Sequence, residues 1–203
     1  MFDYFSKEKS DFLKKKDKSK KGCVDKDIKE IADEINSKKD YYTTSSCSGR
    51  IVLLEMKSKR KDECNWIFAN HDKVDFNEII NALTNYYNKN NSIKKSNQNK
   101  KINQIWFKQQ PLILHVASRN LEAANKLLEV SRRIFRRAGI IGITKRKAMI
   151  EIIGDEKIET IIADKDFVAN ESYIKELVKY ANANFEENKK KSEGFLRIIR
   201  GNL

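Results

Sequence analysis

One proline, seven glycines, three cysteines, two histidines and two tryptophans are all that the 203 residues contain of these types. Each scarcity excludes something. Cys23, Cys47 and Cys64 are odd in number and show no C-x-x-C spacing, which argues against a disulfide framework and a structural zinc. That usage, with no metal implied, fits a reducing, cytoplasmic setting. No apolar run approaches the ~20 residues a membrane helix needs. The opening Met1-Phe2-Asp3-Tyr4-Phe5 lacks the basic-then-apolar order of a secretory signal. There is no G-x-G-x-x-G after a strand and no Walker A motif, so no standard nucleotide-binding fold is advertised.

Charge is what the chain has in abundance. Forty-two lysines and arginines against 29 acids leave a net charge of +13 at neutral pH, spread over both halves of the chain. A field of that sign belongs to the whole fold and favours a polyanionic partner, nucleic acid first. The length suits a single domain over residues 1–203, or two small interlocked halves, with chain enough to bury a core.

Hydrophobic periodicity sets out the elements. Phe5, Phe12 and Leu13 suggest a short amphipathic helix. Asp25 is placed to cap a second helix, whose Ile28, Ile31, Ala32 and Ile35 recur at i, i+3, i+4 and i+7. Tyr41 to Arg50 has no helical period. Ile51–Leu54 and Trp66–Ala69 read as strands, and Phe76, Ile79, Ile80, Leu83 and Tyr87 as a helix. Residues 88–103, built mostly of Asn, Lys, Ser and Gln, read as a polar low-complexity insertion. Pro111 to Ala117 is a strong buried strand with the proline at its start. Asn120 should cap a helix that carries Leu121, Leu127, Ser131 and Phe135 and closes at Gly139. Strands over 140–144, 148–153 and 158–163 follow. A last helix begins near Glu171, with Tyr173, Leu177, Tyr180, Ala181 and Phe185 inward. This mixed order argues for an α+β fold, and the helix–strands–helix grammar on each side of the insertion hints at two pseudo-repeats.

Thr43 to Arg50 concentrates hydroxyls, one thiol, one glycine and one arginine just before a buried strand. Ser45, Ser46, Ser48, Gly49 and Arg50 suit a carboxylate or phosphate: the glycine permits close approach and the arginine a bidentate contact. His71 and His115 each end or interrupt an apolar strand, and their titration near neutrality suits proton transfer. Arg132, Arg133, Arg136 and Arg137 read as one stacked helix face, with more positive charge than a helix end needs, hence a phosphate-backbone contact. Trp66 and Trp106 can stack a base, although the core is the commoner place for tryptophan.

Three stretches carry a family resemblance: Asp17-Lys18-Ser19-Lys20-Lys21-Gly22-Cys23-Val24-Asp25, Asp40-Tyr41-Tyr42-Thr43-Thr44-Ser45-Ser46-Cys47-Ser48-Gly49-Arg50-Ile51, and Phe135-Arg136-Arg137-Ala138-Gly139-Ile140. With Trp66 to His71, Pro111 to His115 and Asn182-Ala183-Asn184, they resemble the tRNA wybutosine-synthesizing protein 3 family over nearly the whole chain. Ala138 stands where a serine is common. The resemblance implies an α+β fold of intertwined repeats, a mixed sheet with helices unlike the Rossmann-like methyltransferases. It also implies S-adenosyl-L-methionine as cofactor. The reaction implied is methylation of N4 of the 7-(3-amino-3-carboxypropyl)-4-demethylwyosine intermediate beside the anticodon of tRNA-Phe. The expected cofactor-binding residues are Ser45, Ser46, Ser48, Gly49 and Arg50, and the expected proton acceptor is His71, His115 or Asp25. Lys20, Lys21, Arg136 and Arg137 are expected on the phosphates of the anticodon stem-loop. No membrane is implied, and other wybutosine-pathway enzymes are conceivable partners. The rival reading is a non-catalytic tRNA-binding module that presents substrate to those enzymes.

Overall fold

The computed structural model describes residues 3–14, 26–56, 64–93 and 103–203. Its elements begin with α1 (Tyr4–Leu13), α2 (Lys26–Ser37), β1 (Tyr41–Cys47), β2 (Arg50–Met56) and β3 (Cys64–Asn70). Next come α3 (Phe76–Ile93), β4 (Gln104–Gln110), β5 (Ile113–Ser118) and α4 (Leu121–Arg132). The chain ends with β6 (Arg137–Ile143), β7 (Ala148–Ile153), β8 (Ile158–Ala163) and α5 (Glu171–Asn202). They divide into two compact units that the chain interlaces. Unit 1 takes Met1–Ser48, Pro111–Asp155 and Glu187–Leu203; unit 2 takes Gly49–Gln110 and Glu156–Glu186.

Unit 1 is a four-stranded antiparallel sheet in the order β1-β5-β7-β6. Alternation decides which face is dry. Leu114, Val116, Ile150 and Ile152 point to a core shared with Ile28, Ile31 and Ile35 of α2, Leu127 of α4 and Phe195 and Ile199 of α5. All four residues of the α2 periodicity are buried, the three isoleucines in this core, which is why that helix forms where its spacing predicts. Asn120 caps α4 by accepting a hydrogen bond from the Ala123 N–H at 2.8 Å. The other face of the sheet meets α1, through Phe5 and Phe12 on Tyr42, Ala117 and Met149.

Unit 2 is a second antiparallel sheet, β3-β2-β4-β8. Ile51, Leu53, Ile105 and Phe107 face α3 and the first half of α5, which contributes Ile174, Leu177, Val178 and Ala181. The start of α3 is fixed by a return hydrogen bond from the Asp75 N–H to Glu78 Oε2, 2.7 Å. The two sheets have matching strand orders when unit 2 is traced backwards, β8-β4-β2-β3 against β1-β5-β7-β6. The likeness is therefore one of layered construction.

Several expectations need correction. Residues 41–47 form strand β1, with Tyr41 buried on the helix side and Tyr42 on the α1 side. α4 ends at Arg132, and Gly139 lies within β6, so the four arginines do not share a helix face. Instead, Arg132 reaches across the connection to the Ala138 carbonyl at 3.0–3.1 Å, and Arg137 opens a strand. α3 runs on to Ile93, so the polar segment begins as helix; residues 94–102 lie outside the described residues. Tyr173 and Tyr180 are exposed, because Ile174 and Val178 take the inward positions. Asp25, expected to cap α2, also lies outside the described residues.

Gly154, which follows β7, is held by packing. Its N–H donates to the Leu112 carbonyl at 2.8 Å. A Cβ there would meet Asn188 Oδ1 at 2.6 Å and Pro111 Cβ at 2.9 Å. Gly154→Ala is expected to destabilise the protein by about 1–3 kcal/mol, in the range of overpacked cores. Chemical denaturation of the two proteins measures it, and equal midpoints would show that the contact relaxes freely.

Candidate active site

The face of the unit 1 sheet away from the helical core carries a hydrogen-bonded row of polar side chains. Antiparallel register sets Ser45 opposite His115, His115 opposite Glu151, and Glu151 opposite Gly139. Residues directly opposite one another share a face, so the row runs across all four strands on one side. The contacts are direct. Ser45 Oγ lies 2.8 Å from His115 Nδ1, and His115 Nε2 lies 2.8 Å from Glu151 Oε2. A carboxylate only accepts, so Nε2 carries the hydrogen and Nδ1 keeps its lone pair for the Ser45 hydroxyl; this tautomer is assigned from the network. The row is open to solvent at Ser45 and half-buried at His115 and Glu151. It ends at Gly139, where a Cβ would meet no atom within 4 Å.

A register shift between Thr43 and Ser45 creates this arrangement. Thr44 is the extra residue of a bulge. Without it, Thr44 would stand opposite His115 and Ser45 would turn to the core face. α2 pins the strand just before the bulge: Asn36 Oδ1 accepts from the Thr43 N–H at 2.8 Å and from its hydroxyl at 3.1 Å. Thr44 Oγ1 donates to the His115 carbonyl at 3.3 Å.

The expected site residues separate accordingly. Ser45 and His115 come together, and Glu151, absent from the sequence-based set, completes the chain. Its signal was a single charged residue alternating with Ile150 and Ile152 in a strand facing the histidine's strand. Ser46 pairs with Leu114 and turns to the helix side, so Ser45 and Ser46 do not line one surface, as alternation along a strand requires. Cys47 lies on the relay face, in a row with Ile113, Ile153 and Arg137. Arg137 is exposed, as is Arg136 before it. Gly49 forms the turn after β1 with φ 104°, in the left-handed region that favours glycine. Arg50 belongs to unit 2, where its Nε donates to Gln110 Oε1 at 2.6 Å. His71 also lies in unit 2, just beyond β3. Asp25, Lys20 and Lys21 are outside the described residues.

A cavity of about 350 Å³ in unit 1 lies at the opposite end of β1, lined in part by Lys38, Lys39, Asn120, Lys126 and Leu203. None of the expected site residues borders it. Among the described residues no His, Cys, Asp or Glu group is placed to hold a metal ion. No helix among them is long and apolar enough to cross a membrane.

α1 walls the relay face on one side, held by charge as well as by its phenylalanines. Arg119 donates to Asp3 at 2.7 Å, to Asp40 at 2.6 Å and to Ser6 at 3.0 Å, and Lys147 pairs with Glu8. The Arg119 guanidinium, helped by Ser6, holds the Asp3 carboxyl well below the usual carboxylate range. Lys147 likewise lowers Glu8. Depressed carboxyl pKa values contribute fully above the unfolded value, about 4, and their contribution is lost as pH falls below it. α1 is therefore expected to detach on acidification while the helical core persists. NMR ring-proton shifts of Phe5 and Phe12 against Tyr42 report this, and an acid transition unchanged in Asp3→Asn/Glu8→Gln would rule out an ionic hold.

Glu151→Gln tests the assignment of the relay. The amide can donate as well as accept, so the preference for hydrogen on His115 Nε2 should weaken with the fold unchanged. Nitrogen-15 chemical shifts of the imidazole read the tautomer directly. A wild-type ring already protonated on Nδ1 would contradict the network.

Comparison with known proteins follows the same strands. The family model described as Methyltransferase TYW3 matches residues 7–201. A zebrafish (Danio rerio) protein named tRNA wybutosine-synthesizing protein 3 homolog is 32% identical over 99% of this chain and 76% of its own length. A Pyrococcus abyssi protein is 31% identical over 87% of this chain and 85% of its own. Its name is tRNA(Phe) 7-((3-amino-3-carboxypropyl)-4-demethylwyosine(37)-N(4))-methyltransferase 1. The solved structure of PH1069 protein from Pyrococcus horikoshii OT3 superposes with a TM-score of 0.77 at 28% identity, covering 98% of this chain and 95% of that one. With both sheets and the relay-bearing strands inside the matched span, this chain belongs to the TYW3 family of methyltransferases.

Proposed function

We propose that this methyltransferase acts on tRNA-Phe, transferring a methyl group to N4 of the 7-(3-amino-3-carboxypropyl)-4-demethylwyosine next to the anticodon, in wybutosine biosynthesis. The name of the Pyrococcus abyssi relative supports the substrate. The observation that carries the chemistry is the Ser45–His115–Glu151 chain, with both hydrogen bonds at 2.8 Å. A non-catalytic RNA-binding module has no use for such a relay on an open sheet face.

When bound, S-adenosyl-L-methionine supplies a methyl group on a positively charged sulfur. The protein's tasks are then to align the nitrogen with that carbon and to take up the proton the nitrogen sheds. Ser45 Oγ receives the proton while its own hydrogen passes to His115 Nδ1. Glu151 stabilises the resulting imidazolium through Nε2–H. Ser48, which follows β1 in unit 1, supplies a hydroxyl suited to a donor's carboxylate. Arg137, on the relay face, and the neighbouring Arg136 are exposed where they can meet tRNA phosphates. A tRNA substrate suits a cytoplasmic enzyme.

Methylation of hypomodified tRNA-Phe, read by nucleoside mass spectrometry, tests this. His115→Ala is expected to lower kcat by about 100- to 10,000-fold, the usual contribution of a positioned acid–base group. Wild-type turnover in that variant removes the relay from the mechanism. No methylated product from the native enzyme with S-adenosyl-L-methionine rejects the function.

A further inference from the structure

Among the described residues the helices of unit 2 pack on one face of its sheet, and both tryptophans of the chain lie on the other. Trp66 on β3 and Trp106 on β4 flank Leu54 of β2 from its two sides. Each ring carries a cation. The Arg50 guanidinium sits 4.6 Å from the Trp66 centroid, and Lys108 Nζ sits 4.9 Å from that of Trp106. Side-chain amides fix the set: Arg50 donates to Gln110 Oε1 at 2.6 Å, and Trp106 Nε1 donates to Gln104 Oε1 at 3.3 Å. Trp66 is 42% exposed, a large apolar surface left to water on a regular strand. The acid on this side, Glu159, is neutralised by Lys108 at 3.5 Å and Lys157 at 3.6 Å.

We propose that this face is a stacking platform for unpaired nucleotides of an RNA loop, with bases laid on Trp66 and its Arg50 plane and phosphates met by Arg50 and Lys108. The proposal rests on the RNA-substrate reading above and adds the surface that grips it. Flat aromatic rings and a guanidinium plane accept any base face, and the adjacent cations match the phosphate that comes with each base. An apolar protein partner would gain nothing from cations set over both rings. The net charge of +13 points the same way. Arg50, expected to bind cofactor, thereby serves the substrate from within unit 2.

Intrinsic fluorescence tests this without labelling, because these two tryptophans are the only ones in the chain. Titration of the full-length protein with a single-stranded RNA oligonucleotide of the tRNA-Phe anticodon-loop sequence should quench emission, and a blunt duplex RNA should not. Trp66→Leu should weaken binding of tRNA-Phe by about 5- to 150-fold, the scale of one stacked base. It should raise KM for tRNA with kcat little changed, and Trp66→Phe should restore most of the affinity. Trp106→Leu gives an independent second reading. Emission indifferent to single-stranded RNA, or Trp66→Leu binding tRNA as the native protein does, overturns the platform even if methylation proceeds. Quenching with normal tRNA affinity but no methyl transfer leaves the platform standing and rejects the proposed function instead. His115→Ala separates the two sites, since it should keep tRNA affinity and lose turnover.

Discussion

A single extra residue governs the unit 1 sheet. Thr44 interrupts the pairing of β1 with β5, and every side chain after it changes face. Before the bulge, Tyr42 lies under α1 and Thr43 faces the helices; after it, Ser45 stands opposite His115. The device is stabilised locally by Asn36 of α2, which accepts two hydrogen bonds from Thr43. The Ser45–His115–Glu151 row thus depends on a backbone irregularity, and the irregularity depends on a helix packed against the far face. Such bulges re-aim side chains near active sites because inserting one residue is the least disruptive way to change the phase of a strand.

The relay is also cheap to hold in place. Its three side chains come from neighbouring strands in register, so the hydrogen-bond ladder of the sheet does the positioning and little side-chain entropy remains to be lost. Gly139 finishes the row without projecting from it, leaving the strip beside Glu151 clear for a flat ring system. α1 bounds the other side, held to unit 1 by Arg119 and Lys147 as well as by its phenylalanines. In unit 2, the second sheet carries aromatic rings with cations over them on the face away from its helices.

How much of this was legible in the sequence differed from element to element, for physical reasons. α2 was readable because its burial is one-sided: Ile28, Ile31, Ala32 and Ile35 have no other face to occupy. β5 was readable from its apolar run. β1 was not, since a Ser/Thr run interrupted by a bulge shows no clean alternation, and only the two tyrosines carry apolar bulk. The Arg132–Arg137 segment misled because i and i+4 spacing is meaningful only while the helix lasts, and here the chain has left it by Arg133. His115 and Ser45 were legible as residue types suited to proton transfer and anion contact. Their partnership, and Glu151 with them, depended on strand register, which is set by pairings 70 and 36 residues apart along the chain. Trp66 was easy to misplace in the core, since its exposure depends on which face of β3 the helices cover.

The interlaced trace has a consequence for the order in which a ribosome can complete this protein. In the sheet that carries the Ser45–His115–Glu151 row, β6 emerges before β7, its one strand neighbour among the described residues, and so waits for it. The core behind that sheet is closed by Phe195 and Ile199, within the last turns of α5. The nascent unit 1 therefore remains unfinished until that stretch of α5 has been made, although its first strand was made early. A chain cut between Ile153 and Phe195 holds all four strands of that sheet, with the core behind them still open.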